Sequence, residues 1–266
     1  KAGIIKPGIP VVVGEMPGEA LSTILRIAKE RGSEAWVFGR EILLTVDAPG
    51  TPTLPSPSRH SRPAGGGTRS GAYVVTTPHG THAGLVPGLT GVMQPHNMAL
   101  AVAAMDAAGS TKTLGGLHRG ARDAFVPGRM QRVHAEDREW LLDGAHNRES
   151  AKALAESLVA SGDADRRIVL LTGMVQGHDP EPLYGELASS VAEVIFAPID
   201  FHRAVQPGQL MELAGGLFAK ALAAETLDGA IQAAISATSP DDLILVSGSF
   251  YLVGEVGRLF GLGDRE

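Results

Sequence analysis

The chain has 266 residues, 44% of them apolar, and a formal net charge of −6. That length can bury a sizeable core and hold two domains, and the acidic balance argues against a nucleic-acid-binding surface. There are no cysteines, which excludes disulfides, thiolate catalysis and cysteine-ligated zinc. No run approaches the ~20 apolar residues that span a bilayer. The expectation is a cytoplasmic monomer with neither a nucleic-acid nor a membrane partner.

The chain opens Lys1-Ala-Gly-Ile-Ile, with no initiator Met and no signal-peptide pattern, so it reads as the interior of a longer protein. Ile9–Val13 is a short β-branched run that predicts a buried strand. From Pro17 to Arg31, residues Leu21, Ile24, Leu25 and Ala28 fall at helical spacing, and Gly32 follows. Glu34–Phe38 predicts a second strand, so the order suggests a parallel βαβ unit. Residues 47–71 are rich in Pro, Gly, Ser, Thr and Arg without periodicity, which predicts a loop or insertion. Strands are expected near 72–76 and 82–86, and helices over 94–108 and 114–124. His79 and His82 read as a pair in a surface turn, since no third metal ligand is evident.

Pro127-Gly128 breaks the chain, and the domain boundary is placed there, giving domains 1–126 and 127–266. Strand and helix then alternate to the end. Ile168–Leu171 and Leu243–Val246 are wholly apolar. Such strands are buried on both faces, which predicts a parallel or mixed sheet between helix layers, an α/β fold. In such folds ligands gather at the carboxyl ends of strands and at helix N-termini. Trp140-Leu-Leu-Asp-Gly-Ala-His-Asn147 places Asp143, His146 and Asn147 at such an end. The competing reading makes Asp143 and Asn147 simple turn and cap residues.

Asp143-Gly-Ala-His-Asn147 resembles a motif of folylpolyglutamate and dihydrofolate synthases, members of the Mur ligase superfamily. Lys1-Ala-Gly-Ile, Gln94-Pro-His-Asn97, Pro127-Gly-Arg129, His202-Arg-Ala204 and Gly248-Ser-Phe-Tyr-Leu-Val-Gly254 resemble further segments of that family, in the same order. The resemblance implies a Rossmann-like C-terminal Mur ligase domain preceded by the end of a central α/β ATPase domain. It also implies that a phosphate-loop half precedes Lys1, and that the chain is inactive by itself. No Gly-x-x-x-x-Gly-Lys-Ser/Thr run is present in the 266 residues.

The implied activity is ATP-dependent, with magnesium: a folate or pteroate carboxylate is phosphorylated and the amine of L-glutamate attacks the acyl phosphate. The implied roles are ATP binding for Asn97, Arg129 and Asp143, glutamate contact for His146, Ser249 and Arg203, and catalysis for His146 and Lys1. Lys1 would hold magnesium only if carbamylated. Each residue also has a plainer reading: Asn97 and Ser249 as helix caps, Arg129 as a solvated arginine after a turn, Lys1 as a solvated terminus. The sequence departs from the family pattern at Met93, usually His, and at Gly177-His178, where the family usually has Asp-Lys. The alternatives are another Mur-type ligase with a different acceptor, such as a peptidoglycan precursor, or a non-catalytic module that binds a nucleotide or a partner.

Overall fold

The computed structural model describes residues 2–47, 71–110 and 114–262. The insertion expected over 47–71 therefore lies almost wholly outside the described residues, as does Lys1. The described residues group into two compact units, one from those up to Phe125, the other from Val126 onward together with Thr90–Val92.

In the first unit, β1 (Val11–Val13), α1 (Gly18–Glu30) and β2 (Ala35–Val37) form the expected βαβ unit, with β1 and β2 parallel. Gly32 closes the turn after α1 with φ of 61°, a conformation open to glycine without steric cost. β3 (Leu43–Val46), β4 (Tyr73–Thr77) and β5 (Gly80–Leu85) form an antiparallel sheet in that order. β3 was not legible in the sequence: it is short and lies at a sheet edge, with Leu43 and Val46 exposed. Helices α2 (Gln94–Ala107) and α3 (Leu114–Asp123) complete the unit. Trp36, Ile42, Val75, Leu85, Val102 and Leu117 belong to its core.

The surface-turn reading holds for His79, which is exposed, and is corrected for His82. His82 lies on β5 and is buried, with Nε2 3.3 Å from a carboxylate oxygen of buried Asp106 on α2. His79 sits in the β4–β5 turn, where its Nδ1 is 3.2 Å from the Asp106 carbonyl oxygen. On β5 His82 faces inward, and Asp106 on the facing helix gathers both imidazoles and the Thr77 hydroxyl. Neighbouring residues alone do not reveal such a partner.

In the second unit, β6 (Gln131–Ala135) and β7 (Arg138–Leu142) form a hairpin. Its two turn residues, Glu136 and Asp137, have φ of 53° and 52°, the left-handed pair that a two-residue hairpin requires. The chain continues through α4 (Arg148–Ser161), β8 (Ile168–Thr172), α5 (Pro180–Leu187), β9 (Glu193–Phe196) and α6 (Pro207–Ala214). It ends with β10 (Ala221–Ala223), α7 (Leu227–Ala237), β11 (Leu243–Ser247) and α8 (Phe250–Leu259). The sheet order is β10-β9-β8-β11-β7-β6, parallel throughout except for the edge strand β6.

Alternate strand residues feed two cores. Leu141, Leu170 and Leu245 pack with α4, α5 and α6, while Leu142, Leu171 and Val246 pack with α7 and α8. Both faces of the sheet are covered, which is why its central strands read as continuous apolar runs. The chain runs from β7 through α4 to β8 and leaves a place that β11 fills later. Helix α4 follows β7 onto one face and α8 follows β11 onto the other. A crevice at the carboxyl ends is the expected product of that divergence.

The opposite end of the sheet carries charge. Glu139 accepts hydrogen bonds from Arg132 and, at 2.8 Å, from Arg166, and both arginines also pair with Asp163. Burial pushes the Glu139 carboxyl up, but the two guanidinium groups outweigh it and hold it below its ordinary value of 4.5. A lowered carboxylate adds stability that is complete above the unfolded value and is lost as pH falls through the folded one. Urea unfolding should therefore show stability declining on the acid side of 4.5. Glu139→Gln should flatten part of that limb and cost about 1–2 kcal/mol at neutral pH. An unchanged acid limb in the variant would contradict the assignment.

Candidate functional site

The loops after β7, β8 and β11 converge at the carboxyl end of the sheet. The Asp143 amide donates to the Val246 carbonyl at 3.0 Å, and the Gly248 amide to the Ala145 carbonyl at 2.8 Å. Asp143 itself is only 8% exposed. One carboxylate oxygen accepts from the Met130 amide at 2.9 Å and the other from the Ala145 amide at 3.0 Å. Burial raises the Asp143 carboxyl above its ordinary value, opposed by those two amides and by the charge of Arg129. One acid thus ties the Pro127–Met130 turn to the Gly144–His146 turn. A further bond, from the Gly144 amide to the Gly128 carbonyl at 2.8 Å, joins them directly. Met130 is held at φ of 46°, an uncommon conformation for a residue with a side chain.

Arg129 and His146 emerge from these joined turns. The guanidinium carbon of Arg129 lies over the Phe250 ring, 4.6 Å from its centroid. Among the described residues no carboxylate forms an ion pair with Arg129. His146 Nδ1 lies 2.9 Å from the Gly144 carbonyl oxygen. A carbonyl only accepts, so this Nδ1 carries the proton and Nε2 is left as the acceptor in neutral imidazole. His146 lies edge-on to His178, with ring centroids 5.6 Å apart, and 5.9 Å from Phe250.

Arg203 joins the same end from the loop after β9. Its Nη2 donates to the Gln176 carbonyl at 3.0 Å, and the Gln176 amide returns a bond to the Arg203 carbonyl at 2.8 Å. This exchange fixes the loop that carries His178. Ser249 is 2% exposed and caps α8, its hydroxyl accepting from the Tyr251 amide at 3.1 Å. The capping reading of Ser249 is what the geometry displays. Asn147 likewise caps α4 through a reciprocal pair with Ser150, the alternative weighed for it in the sequence.

Asn97 is placed in the first unit, in the first turn of α2, where Met93 occupies the cap position. The cap reading of Asn97 is corrected: its side chain donates to the Gln94 side chain at 3.3 Å. Proline at the second helical position sets the helix start earlier than Asn97.

Residues 128–250 match the family model for the Mur ligase glutamate ligase domain. Over these residues the second unit is similar to the Mur ligase glutamate ligase domain. Over 96% of its length the chain is 29% identical to dihydrofolate synthase/folylpolyglutamate synthase of Escherichia coli strain K12, and it spans about half, 53%, of that relative. The structure of E. coli FolC in complex with DHPP and ADP superposes with a TM-score of 0.74 at 27% identity, covering 98% of this chain and 55% of the other. The folylpolyglutamate synthase of Mycobacterium tuberculosis, complexed with ADP and AMPPCP, gives 0.81 at 23% identity, over 98% of this chain and 58% of the other. This last likeness shows the fold.

The second unit thus brings Arg129, Asp143, His146 and Arg203 to one end of its sheet, with Ser249 buried as a cap. Phe250 and Met130 were not singled out in the sequence. Met130 contributes only its backbone amide, which no residue type advertises. Among the described residues, no group of three or more histidine or acidic side chains is arranged to hold a metal ion.

Proposed function

We propose that this chain is part of an ATP-dependent ligase that joins L-glutamate to a folate or dihydropteroate carboxylate. Domains 1–126, the end of a central ATPase domain, and 127–266, the Mur ligase domain, belong to the same proposal. The observation that carries it is the joined pair of turns. Asp143 holds them together, so that a guanidinium and an imidazole Nε2, neither with an ion-pair or hydrogen-bond partner among the described residues, flank one aromatic ring. This arrangement occurs in a domain similar to the glutamate ligase family, and a similar protein has been solved with ADP.

A guanidinium that makes no ion pair among the described residues suits phosphate oxygens, which it can meet in a bidentate fork. Arg129 would neutralise charge on the nucleotide; for Asn97, in the first unit, nucleotide contact is a separate proposal. Asp143 would act chiefly by setting both turns, because each of its oxygens already accepts an amide. His146 Nε2 would accept a proton from the incoming ammonium group as it becomes a nucleophile. Arg203 and the first turn of α8, capped by Ser249, would receive glutamate carboxylates. Magnesium would supply charge neutralisation at the phosphates. The described residues do not themselves form a metal cage.

Calorimetric titration of the chain with ADP tests the nucleotide role. Arg129→Ala should weaken binding roughly 10- to 100-fold, the value of a charge-assisted contact. His146→Ala should leave ADP binding unchanged. Without a phosphate-loop sequence the chain should release no ADP when given ATP, glutamate and dihydropteroate. Wild-type protein that ignores ADP, or an Arg129→Ala variant that binds it equally well, would remove the nucleotide reading. Glutamate-dependent ADP release would overturn the expected inactivity.

A further inference from the structure

We propose that Phe250 is a positioning residue, whose ring seats the Arg129 guanidinium and forms the wall behind the Gly144–His146 turn. This rests on the nucleotide role given to Arg129 above. Phe250 is the first residue of α8 and is 40% exposed. Burial of an aromatic ring is non-directional and does not by itself specify which groups the ring meets. The contacts of Phe250 are specific. The Arg129 guanidinium carbon lies 4.6 Å from the ring centroid, and the His146 ring lies 5.9 Å away at 51°.

The two turns are shaped to reach this helix start. A Cβ on Gly144 would overlap the Phe250 ring, and one on Gly128 would meet Val253 Cγ1 at 2.6 Å. Glycine at both positions therefore lets the two turns close onto the first turn of α8. Phe250 touches each of them.

The chemical consequence concerns the free donors of Arg129. A carboxylate partner would fix the guanidinium but neutralise it and occupy its N–H groups. An aromatic ring attracts the cation through its quadrupole and uses none of the five N–H donors. Arg129 is thus restrained while its charge and its hydrogen-bonding capacity stay available for an oxyanion. Restraint before binding lowers the side-chain entropy lost on binding.

The test is a double-mutant cycle on the full chain, with Phe250→Leu, Phe250→Tyr, Arg129→Ala and the Arg129→Ala/Phe250→Leu pair. The first readout needs no ligand. The Arg129 Nε–H resonance, identified by its loss in Arg129→Ala, should be displaced upfield by the ring current. It should relax in Phe250→Leu and persist in Phe250→Tyr. The second readout is the dissociation constant for ADP. Phe250→Leu should weaken binding about threefold to fivefold when Arg129 is present. It should have no effect in the Arg129→Ala background, and Phe250→Tyr should bind as wild type. An unmoved Arg129 resonance in Phe250→Leu overturns the proposal, as does an equal loss of affinity in both backgrounds. If Arg129→Ala alone leaves ADP binding intact, the nucleotide role of Arg129 fails, while the resonance still decides whether Phe250 seats it.

Discussion

Gly248→Ala should lower the stability of the second unit by about 3–5 kcal/mol, combining backbone strain with overpacking in a closed site. Gly248 has φ of 98°, a region that residues with a Cβ avoid. A Cβ there would overlap the Thr172 hydroxyl and sit 2.6 Å from the Gly173 carbonyl oxygen. Neither neighbour can retreat cheaply. The Thr172 hydroxyl donates to the Ser247 carbonyl at 2.8 Å, and the Gly173 backbone belongs to the loop after central strand β8. The Gly248 amide also holds the Ala145 carbonyl, so relief by backbone movement would disturb the Asp143–His146 loop. Urea unfolding followed by circular dichroism measures the loss. A variant within about 1 kcal/mol of wild type, the ordinary effect of a point substitution, would show that the site has slack.

Asp143→Asn should cost about 2–4 kcal/mol and should detach the Arg129 turn. Asparagine keeps the size of aspartate but offers one acceptor oxygen in place of two. Its amide group would face either the Met130 or the Ala145 N–H, leaving a buried donor unpaired. Relief of carboxylate desolvation offsets part of this loss. The folded pKa of Asp143 is raised, chiefly by burial. For a raised acid, stability falls as pH climbs from the unfolded value through the folded one, so ionised Asp143 carries a burial cost at neutral pH. Asp143→Ala removes that cost too but orphans both amides, and it should lose at least as much. Unfolding curves, together with hydrogen exchange at the Met130 and Ala145 amides, test this. Exchange as slow as in the wild type in Asp143→Asn would mean that the carboxylate does not hold the turns.

Much of the fold was legible in local sequence. The apolar runs at Ile168–Leu171 and Leu243–Val246 identified strands buried on both faces, and they are central in the sheet. Helices announced themselves by periodicity and by their first residues, as at Asn147 and Ser249. β3 and β10 escaped notice because they are short edge strands, held as much by a neighbouring strand as by their own residues. The β6–β7 hairpin escaped because Glu136-Asp137 lacks the usual glycine of a left-handed turn.

Local residues were enough to place Asp143 and His146 just after a buried strand and Arg129 after a chain break. The sequence could not determine what these residues touch. The insertion of β11 between β7 and β8 brings Gly248 against Thr172 and the Ala145 carbonyl, and carries Phe250 beneath Arg129. Likewise, only packing places His82 against Asp106. Strand order and crossover direction arise from pairings between distant parts of the chain, whereas propensity and periodicity report on neighbours within a few residues. The types and ends of the elements are therefore local properties, and the company that each functional side chain keeps is a tertiary one.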